Sequence, residues 1–136
     1  MKYLTNYKIF ESIEDDIKSY LTDICLDLTD IGFEVTIDYV SLDEMWTINI
    51  IYSPNWLQTN NFKLGDVKNT IYTILDYMNS EDYFITLTSG FLKKLNTDTG
   101  QILYNQRINI PKNVDEWDKD QQLSLIQFYF KKNINI

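Results

Sequence analysis

Histidine is missing from this chain, and so is alanine. Without His the commonest general base is gone, and with it the Ser–His and Cys–His nucleophile pairs and most zinc sites. A single cysteine, Cys25, excludes an internal disulfide and thiolate metal clusters. The four glycines are scattered and build no phosphate-cradling loop. Arginine occurs once, as Arg107, and the net charge is −8, so the basic footprint of a nucleic-acid groove is absent. The same charge disfavours anionic membranes. No run approaches the roughly 18 apolar residues of a membrane span, and the N-terminus lacks the apolar core of a signal peptide. Any catalysis would rest on carboxylates, Lys, Tyr or a carboxylate-bound Mg²⁺ or Ca²⁺.

What the chain does contain is aromatic. Ten Tyr, seven Phe and three Trp accompany a hydrophobic fraction of 44% in 136 residues. Large rings can fill a core that has no Ala to fill it. The length suits one domain, and such a chain needs no disulfide or metal staple. Lys, Asn, Ile, Tyr and Phe share AT-rich codons, which fits an AT-rich bacterium or one of its phages. The lone cysteine, set beside Ile24 and Leu28, reads as a buried thiol in a reducing cytoplasm. The expected setting is a bacterial cytoplasm, or a virion assembled in it.

The best-signalled stretch runs from Ser12 to Ile37. Ser12 followed by Asp15 resembles a capping box, and Glu14, Asp15 and Asp16 favour the positive end of a helix. Ile13, Ile17, Leu21, Ile24, Leu28 and Ile31 then recur every three or four residues, which predicts one amphipathic helix capped by Gly32. Phe33, Val35, Ile37 and Tyr39 alternate with polar residues as a strand, and Trp46 to Tyr52 repeats the pattern after the turn Ser41–Glu44. Pro54 closes that hairpin, and a polar connection covers residues 55–63.

A second helix opens at Gly65-Asp66, with Val67, Ile71, Ile74, Leu75 and Met78 inward. Tyr83, Ile85 and Leu87 alternate as a third strand, Ser89-Gly90 marks a bulge or bend, and NTDTG (96–100) is a turn. Ile102 to Ile110 is a fourth strand. PKNVDEWDKDQ (111–121) is an acidic loop. LSLIQFYF (123–130) reads as a central or doubly covered strand, with a short final helix as the alternative.

The two helix–strand units align at an offset of 50. Asp16, Lys18, Ile24 and Thr36 return as Asp66, Lys68, Ile74 and Thr86. The expected fold is α+β: two helices on one face of a mainly antiparallel sheet of four to five strands, with an α-β-β pseudo-repeat as a further option. Residues 1–11 form an arm or leader and residues 12–136 a single domain.

Three acidic groups are candidate sites. Asp23, Asp27 and Asp30 share a face of the first helix without an i+4 Lys partner, which reads as a solvated face or as a docking stripe for a basic partner. Glu116, Asp118 and Asp120 have calcium-loop spacing, but Gln121 stands where Gly is required and Gln127 where a bidentate Glu is required. Asn96, Asp98 and Gly100 are explained by a turn. Trp117, amid carboxylates, either tucks its ring under the acidic loop or serves as an exposed partner anchor. No cofactor is called for.

Ile9-Phe10-Glu11 before Ser12 resembles the cleavage site of head-targeting leaders on internal proteins of large tailed phages, in which an aliphatic residue, any residue and Glu precede the cut. The resemblance covers about a dozen residues. It implies processing between Glu11 and Ser12 and a packaged, non-enzymatic accessory protein that acts by protein–protein contact. The remaining chain is similar in style to small α+β proteins of phages of AT-rich hosts. The competing reading is an acidic inhibitor or immunity-type binder against a host or defence protein. A carboxylate-metal enzyme ranks below both. Homo-oligomerisation through an exposed sheet edge is a further expectation, because the last strand is apolar on both faces.

Overall fold

A computed structural model describes residues 2–52, 61–95, 98 and 102–133; for 2–12, 93–95 and 102–106 it describes the backbone alone. Pro54, the connection up to residue 60, most of the NTDTG turn and residues 134–136 lie outside the described residues.

The first helix does not start at Ser12. Helix α1 spans Lys2–Ile24, then Cys25 interrupts the ladder and α2 follows as Leu26–Asp30. Nothing between Lys2 and Ser12 breaks a helix, since the segment has neither Pro nor Gly. At the interruption the Cys25 carbonyl accepts both the Leu28 and Thr29 N–H groups, so the ladder tightens locally to a 3-10 turn. Gly32, at φ 103°, then turns the chain into β1. That left-handed backbone strains any side-chain-bearing residue.

Strands β1 (Phe33–Val40) and β2 (Met45–Tyr52) form an antiparallel hairpin with Phe33 opposite Tyr52. A two-residue strand β3 (Phe62–Lys63) leads into α3 (Leu64–Ser80), then β4 (Tyr83–Leu95) and β5 (Ile102–Asn109) form a second hairpin. The acidic loop carries a 3-10 turn at Val114–Glu116. Short β6 (Gln122–Leu123) pairs with β3, and β7 (Leu125–Lys132) follows.

The main sheet has the order β1-β2-β7-β4-β5, with neighbours antiparallel throughout. The fold is α+β as expected, and the last strand is central rather than an edge. Its inward side chains Ile126, Phe128 and Phe130 are fully buried between the two hairpins. No bend occurs at Ser89-Gly90. The strand runs on through FLKKL, and its register shifts lie between Ile85 and Leu87 against β7 and between Leu92 and Lys93 against β5. Gly90 is needed for a different reason: a Cβ there would lie 2.7 Å from Leu123 Cδ2.

All three helices cover one face of this sheet. Ile17, Leu21, Leu28, Val67, Ile71 and Met78 join Trp46, Ile48, Ile50 and the β7 residues in one core. The other face carries Thr47, Asn49 and Ile51 of β2 and Leu125, Gln127 and Tyr129 of β7, all half-buried, with Phe84 and Leu87 of β4 exposed. Among the described residues no helix is long and apolar enough to cross a membrane.

Candidate partner-binding surface

The three stripe carboxylates are all exposed, and no described residue hydrogen-bonds or pairs with any of them. The helix break changes their setting. Asp23 stands in the last turn of α1, while Asp27 and Asp30 belong to α2, so the three do not share one continuous helix. Leu26, between Asp23 and Asp27, is 48% exposed, and Ile31, directly after Asp30, is 61% exposed.

Ile31 leads from Asp30 into a cleft of about 380 Å³, lined also by Phe33, Tyr52, Asn61, Phe62 and Asp66. Its rings are set by the fold. Phe33 and Tyr52 pair across the first hairpin with centroids 4.7 Å apart, and Phe62 meets Phe33 edge-on at 5.2 Å. Two polar groups define its rim. The Ser124 hydroxyl and Asn61 Oδ1 are 2.7 Å apart and hydrogen-bonded, and Asp66 Oδ2 accepts the Lys63 N–H at 3.1 Å. The α3 N-terminus beside it is already occupied: Leu64 and Gly65 N–H groups donate to the Gln121 and Lys119 carbonyls, both at 3.0 Å. That end of the helix is closed to an added anion.

Trp117 is a core residue, 6% exposed. Its indole Nε1 donates to the Pro111 carbonyl at 2.7 Å, and its ring stacks on Phe128 at 6.1 Å. The ring is tucked under the acidic loop, and no exposed anchor exists at this position. Two of the loop's carboxylates hold it in place: Asp118 Oδ1 accepts the Asp120 N–H, and Asp115 accepts the hydroxyl of Tyr72 on α3. Among the described residues no group of three or more His, Cys, Asp or Glu side chains gathers as a metal site would require.

Glu11 and Ser12 lie inside α1, so Ser12 is not its cap. Proteases take extended chain, so a cut between them requires this part of the helix to open or to be cut before it forms. Cys25 is buried, and desolvation pushes its thiol up to about 11, which leaves it an unreactive thiol at neutral pH.

The cleft was the part that periodicity missed. Its lining is spread from Ile31 to Asp66 over four elements. One signal was available, since a turn at Ser41–Glu44 places Phe33 opposite Tyr52. Nothing local announces Phe62. No protein-family model matches this chain, no curated protein matches it, and no solved structure matches it.

Proposed function

We propose that this protein is a non-enzymatic accessory protein of a phage virion that acts by protein–protein contact, receiving a basic segment of its partner on the α1–α2 face and in the adjoining cleft. The observation that carries the contact reading is a run of exposed Asp23, Leu26, Asp27 and Asp30 that leads directly into Ile31, which lines an aromatic cleft. A Lys or Arg side chain pairs an aliphatic stem with a cationic head. The stem suits Ile31, Phe33 and Phe62, and the head suits the carboxylates of Asp30 and Asp66 or the face of Tyr52. The virion setting rests on the leader-like Ile9-Phe10-Glu11 segment.

Intact-mass measurement of the protein from purified particles tests the setting. A chain beginning at Ser12 supports packaging with processing, and absence from particles removes it. For the contact itself, replacing Asp23, Asp27 and Asp30 together by Asn is expected to weaken partner binding about tenfold and to flatten its salt dependence. Unchanged affinity would clear this face of the role.

The same carboxylates favour a second reading, an acidic inhibitor of a host or defence protein. There the partner's basic groove would be the contact, and loss of that partner's activity on titration with this protein would separate the two readings.

A further inference from the structure

The sheet face opposite the helices carries an ordered pattern. Strand pairing places Glu34, Ile51, Leu125, Phe91 and Arg107 in one row across all five strands. An acid stands at the β1 end, a base at the β5 end, and three apolar side chains lie between. The next row is Thr36, Asn49, Gln127, Ser89 and Asn109, polar throughout. Farther along the strands stand Asp38, Thr47, Tyr129 and Leu87, then Val40, Met45, Lys131 and Phe84; Asp38 lies opposite no described β5 residue, since β5 ends at Asn109. Phe84 is 44% exposed and Leu87 40% exposed.

We infer that this open face is where a second copy of the chain docks, the two sheets packing face to face about a two-fold axis that runs along β7. A rotation about that axis reverses the order of the strands and leaves each row facing itself. Glu34 then lies over the second copy's Arg107, Ile51 over Phe91, and Leu125 over Leu125, so acid meets base at both ends and apolar meets apolar between. An axis perpendicular to the strands lays β1 over β1 and matches neither charge, so the charge pattern itself selects the first arrangement. Aligned sheets of this kind pack with their strands within about 30° of each other. Lys131 meets its own copy near the axis, but it is exposed at the end of β7, where its stem can carry the ammonium past the sheet.

The area suffices. Five strands about 4.8 Å apart and roughly eight residues long present a face of about 600 Å², and two such faces bury about 1,200 Å², the lower bound for a stable interface. The motive for pairing through a sheet edge is gone, because the apolar strand that suggested it is the central one. The acidic helical face stays free, so a dimer leaves the proposed partner surface accessible.

Sedimentation equilibrium on the full chain between about 1 and 100 μM tests the inference. The expected result is a dimer. Leu125→Asp places like charges on the axis and should yield a monomer. Glu34→Arg and Arg107→Glu should each weaken the dimer at least tenfold, and the two together should restore it to within about threefold of the wild type. Circular dichroism and thermal melts confirm that each variant is folded; both charge positions are exposed, and Arg107→Glu gives up one side-chain bond, from Arg107 to the Ser89 hydroxyl at 3.2 Å. A monomer at 100 μM, a dimer indifferent to Leu125→Asp, or a charge-swapped double variant that stays weak would each overturn the inference.

Discussion

The two helix–strand units use the same apolar pattern in different ways. In the first, the helix is broken at Cys25 and the strand that follows is regular. In the second, α3 is continuous and the strand carries the irregularity. Ile17, Leu21 and Leu28 are buried, and so are their counterparts Val67, Ile71 and Met78. The correspondence fails at the strand. Ile37 points into the core, but the register shift beside Thr86 turns its counterpart Leu87 outward. A pattern of period two specifies a face only until one extra residue intervenes.

The outer faces of the helices differ more. Asp23, Asp27 and Asp30 are unpaired, whereas the equivalent Thr73 and Ser80 bond to their own helix at the Asn69 and Tyr77 carbonyls. Tyr77, the counterpart of Asp27, stacks on Tyr20 of α1 with centroids 5.2 Å apart. One unit spends that position on packing and the other leaves it to solvent. The chain then separates the two units by inserting β7 between their hairpins, so sequence equivalence is not matched by equivalent places in the sheet.

The sharpest way to break the comparison is in the core, where the units are alike. Leu21→Ala and Ile71→Ala remove equivalent, fully buried side chains. Each is expected to cost about 2–5 kcal/mol in urea unfolding. A difference between them larger than that range would show that one unit dominates the core.

The next effect is confined to the first unit, because Leu75 occupies the place of Cys25 in the second. An unfolded thiol ionises at about 8.5, and burial pushes the Cys25 thiol up to about 11 in the folded chain. Between those values the unfolded state releases a proton that the native state keeps, so stability falls as pH rises. The loss is on the order of 2–3 kcal/mol. Urea titrations at pH 8 and pH 10.5 should show it, and Cys25→Val should remove this share and leave the smaller fall due to Tyr39 and Tyr77, whose hydroxyls burial also pushes up.

The smallest expected effect lies in the turns. Gly32 at φ 103° and Asp82 at φ 63° occupy equivalent left-handed positions between helix and strand. Gly32→Ala is expected to cost about 1–2 kcal/mol. Asp82→Gly should change stability by less than about 0.5 kcal/mol, because relief of strain is offset by a freer unfolded chain. Thermal melts of both variants measure the contrast.

Much of this was legible in the residues. The apolar stripes located the helices, alternation located β1, β2 and β5, and Gly32 marked the end of the first helical segment. Even the early start of α1 had a signal, since Tyr3, Tyr7, Phe10, Ile13 and Ile17 already fall three or four apart. The acidic face was legible as composition and spacing. Its adjacency to an aromatic cleft was not, and neither was the burial of Trp117, which depends on Phe128 and Pro111 meeting it from other elements.

By itself, then, the sequence determined most of the apolar face of each helix, because local periodicity sets it, although Ile13 and Ile31 of the predicted stripe are exposed. It determined the α+β class and the left-handed turn at Gly32 for the same local reason. Only the tertiary structure decided that β7 lies between the two hairpins, that a register shift exposes Leu87, and that Ile31, Phe33, Tyr52 and Phe62 enclose one cleft. Strand neighbours are chosen by contacts between residues far apart in the chain, and an apolar stripe says that a face must be covered without saying by what.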